Sequence, residues 1–180
     1  MFMKRTTLWA IACLIGFSAI CLPARAGDPI PELVILKPFI GTWKTVSDAP
    51  NEPNSFTDVA KWECILNGRV VRITHNVNDG AYAGESLIHW DGQQQKIIYR
   101  YVTTAGFYTD GVITPAGGGG IDVHEYVRGA TSGPTETLSH YEVKDDGRIH
   151  AWSKFLTGDA WTEPNTVIYE HAPEAQVNLP

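Results

Sequence analysis

From Gly41 onward the chain shows no helical periodicity longer than two turns. It reads as a succession of short alternating segments separated by turn residues, a pattern that restricts the fold to antiparallel all-β architectures. The segments are 41–47, 55–66, 69–77, 82–90, 96–104, 107–114, 121–128, 135–143, 148–156 and 160–170. Between them stand Asn67-Gly68, Asn78-Asp79-Gly80, Asp91-Gly92, Ala105-Gly106, Gly117–Gly120, Gly133-Pro134, Asp145-Asp146-Gly147 and Gly158-Asp159. About ten strands with short links argue for an up-and-down meander. Closing it into a barrel removes the exposed edges. A sandwich is the alternative. Glu32–Phe39 is long enough for one or two helical turns at the entrance.

The segment 1–26 stands apart from this pattern. Lys4 and Arg5 precede an apolar run from Leu8 to Leu22, and Ala24-Arg25-Ala26 follows as a cleavage sequence. These are the three parts of a secretory signal peptide, and the run is shorter than a membrane span requires. Ile20 in front of Cys21 argues against lipid attachment there. The expectation is an exported protein, periplasmic or secreted, without a transmembrane anchor. Its barrel domain would span 27–171 and its flexible tail 172–180. Cleavage removes Lys4, Arg5 and Arg25, taking the formal charge from −6 to −9. That balance opposes binding to nucleic acid. Cys13 and Cys21 also leave, so Cys64 has no disulfide partner within the chain and reads as a small buried hydrophobe.

Hairpin register assigns side chains to faces. About Asn67-Gly68, Cys64 faces Val71, Trp62 faces Ile73 and Ala60 faces His75. The opposite face carries the charge pair Glu63/Arg72, so the tryptophan face points inward. A two-residue turn at Ala105-Gly106 places Tyr99/Val112, Tyr101/Asp110 and Thr103/Tyr108 on one face. Neither face is cleanly apolar there. The tyrosine face is placed inward and Arg100 outward. A three-residue loop at Asp145-Asp146-Gly147 sets Tyr141/Ala151, Ser139/Ser153 and Thr137/Phe155 inside, with His140 and His150 outside. The inward faces of 82–90 and 121–128 are left open.

Chemical motifs are sparse. The six histidines form no H-x-H, H-x-x-x-H or H-E-x-x-H, and there is no Cys-x-x-Cys, so no metal site is expected. Gly-x-Ser-x-Gly is absent, and Gly117–Gly120 lacks the Lys-Ser/Thr of a phosphate loop. The aromatic residues carry more information. Trp43, Trp62, Tyr99, Tyr101, Tyr108, Tyr141 and Phe155, with His75, Asp110, Ser139 and Ser153, are the candidate ligand-binding residues. They either fill the barrel or wall a cavity for a small apolar or aromatic molecule. If the protein is an enzyme, His75, Tyr101 and Asp110 are its candidate acid–base set, for proton transfer in an isomerase, cyclase or cofactor-free lyase. A packed interior would instead suit an interaction module of the cell envelope.

Leu36-Lys37-Pro38-Phe39-Ile40-Gly41-Thr42-Trp43 resembles the G-x-W opening of lipocalin-like (calycin) barrels. In those barrels the tryptophan plugs the base. Trp62-Glu63-Cys64-Ile65-Leu66-Asn67-Gly68-Arg69-Val70-Val71 is similar to the W-x-x-I-L-x-G-R hairpin of a large secreted bacterial family in that group. Gly84–Asp91, Lys96–Thr104 and Thr109-Asp110-Gly111 continue the resemblance, which spans Leu33 to Tyr169. It implies a barrel and no single activity. The more distantly similar nitrobindin-like haem barrels carry their histidine shortly before a Val-x-Tyr on the last strand. Here that stretch is Glu163-Pro164-Asn165-Thr166-Val167-Ile168-Tyr169 and has no histidine. No cofactor is expected, and haem would require His75 as a substitute ligand.

Overall fold

The computed structural model describes residues 27–46 and 56–180. The 1–26 segment lies outside them. A 3-10 helix over Pro31–Phe39 precedes eleven strands. These are β1 (Gly41–Thr45), β2 (Asp58–Ile65), β3 (Val70–Val77), β4 (Tyr82–Asp91), β5 (Lys96–Thr103) and β6 (Tyr108–Pro115), followed by β7 (Ile121–Arg128), β8 (Glu136–Val143), β9 (Ile149–Thr157), β10 (Ala160–Trp161) and β11 (Asn165–His171). Each strand from β1 to β9 pairs antiparallel with the next, β11 pairs with β9, and β1 pairs with β11. Ten strands therefore close a barrel, and the two-residue β10 only folds back on β9. The expected single segment 160–170 is divided because Pro164, which has no amide N–H to donate, falls inside it.

The helix closes one end. Leu33, Leu36 and Phe39 are fully buried, and Phe39 stacks on Trp62 with centroids 5.4 Å apart. The indole N–H of Trp43 donates to the Phe39 carbonyl at 2.7 Å, tying the helix to the first strand. The Ile30 amide donates to the Gly68 carbonyl at 3.0 Å, fixing the entrance against the β2–β3 hairpin. Val71, Ile88, Ile97, Ile113, Ile121 and Ile149 complete this apolar plug. Cys64 packs on its edge, where burial pushes the thiol pKa up, with the Asp28 charge adding to the effect.

The β2–β3 and β8–β9 registers match the turn-based expectation: Trp62 pairs with Ile73, Ala60 with His75, Ser139 with Ser153 and Tyr141 with Ala151. Glu63 and Arg72 meet on the outside, Nη2 to Oε1 at 2.6 Å. The β5–β6 register differs by one residue. Gly106 adopts φ 86° and its amide donates to the Thr103 carbonyl at 3.2 Å, so the connection is a three-residue loop with a left-handed glycine and not a two-residue turn. Tyr101 then pairs with Thr109, and Arg100 with Asp110. A slip of one residue turns every β6 side chain to the other face. Asp110 and Tyr108, expected inside, stand outside. Arg100 bonds Asp110 at 2.7 Å and lies over the Tyr108 ring at 5.2 Å.

The stretch beyond β11 runs back over the barrel wall. The Asn178 carbonyl accepts from Asn76 Nδ2 at 3.0 Å, and Asn76 on the outer face of β3 is buried. Among the described residues, no helix is long and apolar enough to cross a membrane.

Candidate functional site

Above the plug the barrel holds a cavity of about 330 Å³. It reaches the loop carrying Ala130, Ser132 and Pro134, at the end opposite the helix. Alternation along each strand decides its lining. Trp43, Trp62, His75, Tyr99, Tyr101, Ser139, Tyr141, Ser153 and Phe155 all border it, as their inward registers require. Tyr108 and Asp110 do not. The structure adds Asp58, Tyr82, Phe107, Thr109, Glu125 and Tyr169.

One wall carries a continuous hydrogen-bonded chain. Tyr169 donates its hydroxyl proton to Asp58 Oδ2 at 2.9 Å. Asp58 Oδ1 faces His75 Nδ1 at 3.1 Å, and His75 Nε2 faces the Tyr101 hydroxyl at 2.7 Å. The Tyr101 and Tyr82 hydroxyls are 2.6 Å apart. A carboxylate accepts only, so Nδ1 of His75 is the protonated nitrogen facing Asp58. In the neutral imidazole, Nε2 is then an acceptor for the Tyr101 hydroxyl. In the protonated form, Nε2 donates and Tyr101 passes its own proton toward Tyr82.

Gly84 makes this arrangement possible. It pairs with His75 on one side and with Thr103 on the other. A Cβ there would lie 2.2 Å from the Tyr101 ring. Without a side chain at position 84, the ring packs over the glycine and its hydroxyl reaches His75. Burial pushes the Tyr101 hydroxyl pKa far up, with the Tyr82 hydrogen bond and the Asp58 and Glu125 charges adding to it. Tyr101 is therefore a hydrogen-bond donor and not a source of tyrosinate.

Glu125 lies on a different part of the wall. It is buried, with Thr109 Oγ1 donating to its Oε2 at 2.7 Å. Burial raises its carboxyl pKa, and hydrogen bonds from Thr109 and Tyr99 hold the rise back. The Ser139 and Ser153 hydroxyls, 2.8 Å apart, add a third polar spot.

Both added acids, Asp58 and Glu125, were within reach of the sequence. Asp58 stands two residues before Ala60 on the face already assigned inward. In 121–128, Ile121, Val123 and Val127 share a face with Glu125, while Asp122, His124 and Arg128 share the other. Tyr169 carried no such signal. It meets Asp58 across 111 residues of chain because β11 closes the barrel on β1.

A haem ligand is poorly provided for. Both ring nitrogens of His75 already have partners, so iron would displace Tyr101 from Nε2. His171, the histidine of β11, is an exposed residue beside Trp43. Among the described residues, no group of three or more His, Cys, Asp or Glu side chains is placed to hold a metal ion.

No protein-family model and no curated protein sequence matches the chain. Among solved structures, it is similar to the crystal structure of Rv2717c from M. tuberculosis, at 13% sequence identity and a TM-score of 0.57. The match covers 81% of this chain and 99% of that one. At this identity the two chains share a barrel fold, and the likeness extends no further.

Proposed function

We propose that the barrel binds a small, largely apolar or aromatic molecule in its interior. One observation carries this reading: a cavity of about 330 Å³, walled by aromatic rings and holding a few convergent polar groups, lies above a fully packed plug. Apolar lining supplies affinity and a small number of fixed polar groups supplies orientation, the usual division of labour in small-molecule sites. An engineered apolar cavity of about 150 Å³ takes up benzene, so this one has room for a two-ring body. The interaction-module alternative called for a solid interior, which this cavity is not. The reading includes export after loss of 1–26 and kinship with lipocalin-like barrels, both resting on sequence pattern.

The test uses purified 27–180 exposed to cell extract, followed by native mass spectrometry and titration with a hydrophobic fluorescent dye. A bound mass that the dye displaces is the expected result. A uniformly ligand-free protein that leaves the dye dim would overturn the reading.

A second reading is favoured by the Asp58–His75–Tyr101 chain. It provides a base oriented by a carboxylate and a neutral hydroxyl donor beside it, the elements of proton-transfer catalysis. Asp58 takes the part assigned from sequence to Asp110. On this reading His75→Ala abolishes turnover of a substrate that the cavity binds, and Asp110→Asn leaves turnover intact. Unchanged turnover in His75→Ala would remove the enzyme reading.

A further inference from the structure

We propose that the molecule bound in the cavity carries a positive charge, as a protonated amine on an apolar or aromatic body, with its ammonium group against Glu125. This rests on the ligand-cavity reading and specifies the ligand's charge. Among the described residues, the cavity is bordered by two carboxylates, Asp58 and Glu125, and by no lysine or arginine; its one basic side chain is His75. His75 is committed to Asp58, which also receives the Tyr169 hydroxyl. Among the described residues the side-chain donors to Glu125, Thr109 and Tyr99, are neutral, and the charge of a protonated His124 reaches it from the outer face, where His124 pairs with Glu136. An ionised carboxylate offers about four lone-pair positions, so Glu125 retains acceptor capacity for a ligand donor.

The surroundings of Glu125 suit a cation in a second way. Glu125 borders the same cavity as the rings of Tyr99, Tyr101 and Tyr141. Trp62 meets Tyr141 edge-on, with centroids 6.2 Å apart, and extends the aromatic wall. Ring faces attract ammonium groups, most strongly where water is excluded. An anionic ligand would bring a further negative charge into a low-dielectric site holding two carboxylates and no fixed cation, and would bind at a penalty.

Three near-isosteric probes separate the outcomes: 1-naphthylmethylamine, protonated at neutral pH, 1-naphthylmethanol and 1-naphthoate. Each is titrated by calorimetry into the purified mature chain at low salt. The amine is expected to bind at least about tenfold tighter than the alcohol, and the naphthoate more weakly than both. Glu125→Gln is expected to erase the advantage of the amine while keeping the affinity for the alcohol, which also reports that the variant is folded. Equal binding of amine and alcohol, stronger binding of the naphthoate, or an amine preference that survives in Glu125→Gln overturns the charge assignment and leaves the ligand cavity standing. Absence of binding by all three probes overturns the cavity reading and the charge assignment with it. The wild-type titrations decide the charge preference without the variant.

Discussion

Replacing Gly84 with alanine tests the packing that builds the polar wall. The backbone at Gly84 is not in the left-handed region, so alanine meets no conformational objection. The obstacle is steric. The new Cβ would lie 2.2 Å from Cε2 of Tyr101 and 2.7 Å from its hydroxyl oxygen, where ordinary contact begins at 3.4 Å. The ring must therefore retreat by roughly 1.2 Å. Its bond to His75 Nε2, 2.7 Å long, would stretch beyond hydrogen-bonding range. Overpacking of this kind costs about 1–3 kcal/mol, and the lost hydrogen bond about 0.5–1.5 kcal/mol. The lower entropy of the unfolded alanine chain offsets about 0.4–1 kcal/mol. A net loss of about 0.5–4 kcal/mol is expected, or roughly 2–12 °C in melting temperature for a domain of this size. Gly92→Ala is the control. Its nearest neighbour would be Trp90 Nε1 at 3.9 Å, and its backbone is also free of positive φ. Thermal melts of both variants and the ¹⁵N shift of His75 Nε2 are the measurements. A Gly84→Ala protein as stable as Gly92→Ala, with the His75 resonance unmoved, would refute the placement of Tyr101 across Gly84.

Three further expectations follow from the same wall and its surroundings. Asp58→Asn leaves a carbonyl for one donor but turns an amide toward the other, where His75 Nδ1 and Tyr169 now both find acceptors; urea denaturation should show a loss of about 1–3 kcal/mol. Burial raises the folded-state pKa of Glu125, so its contribution to stability is complete in acid and fades as pH rises from the unfolded value, about 4.3, through the raised one. Glu125→Gln lacks that loss, so urea midpoints should move in favour of the variant with increasing pH across this window, and parallel profiles would contradict the burial. Asp110→Asn breaks an outward pair whose side chains are 63% and 40% exposed, so stability should fall by less than about 1 kcal/mol and ligand affinity should hold. An affinity loss in that variant would restore the inward register for Asp110.

The physics of turns explains which parts of the site were readable from sequence. Asn67-Gly68 and Asp145-Asp146-Gly147 fixed two hairpins to the residue, and with them the inward placement of Trp62, His75, Ser139, Tyr141, Ser153 and Phe155. Ala105-Gly106 misled because a glycine can close either a two-residue or a three-residue loop. The choice depends on whether Gly106 takes the left-handed position, and it does. That one residue exchanged Asp110 for Thr109 at the cavity wall.

By itself, the sequence determined the all-β class, the approximate strand count and the face of each strand flanked by an unambiguous turn. Side-chain alternation and turn chemistry act within a few residues, and both are written locally. Closure into a barrel is already expected from the meander, because it removes the exposed edges, whereas the contacts that closure creates belong to the tertiary structure. Closure brings Tyr169 of the last strand to Asp58 of the second, and the folded wall lets Tyr101 lie in the space above Gly84 and sets Glu125 in the same cavity as Tyr99, Tyr101 and Tyr141. The first of these is a contact between distant strands. Its existence depends on the curvature that joins β11 to β1, which no local pattern encodes.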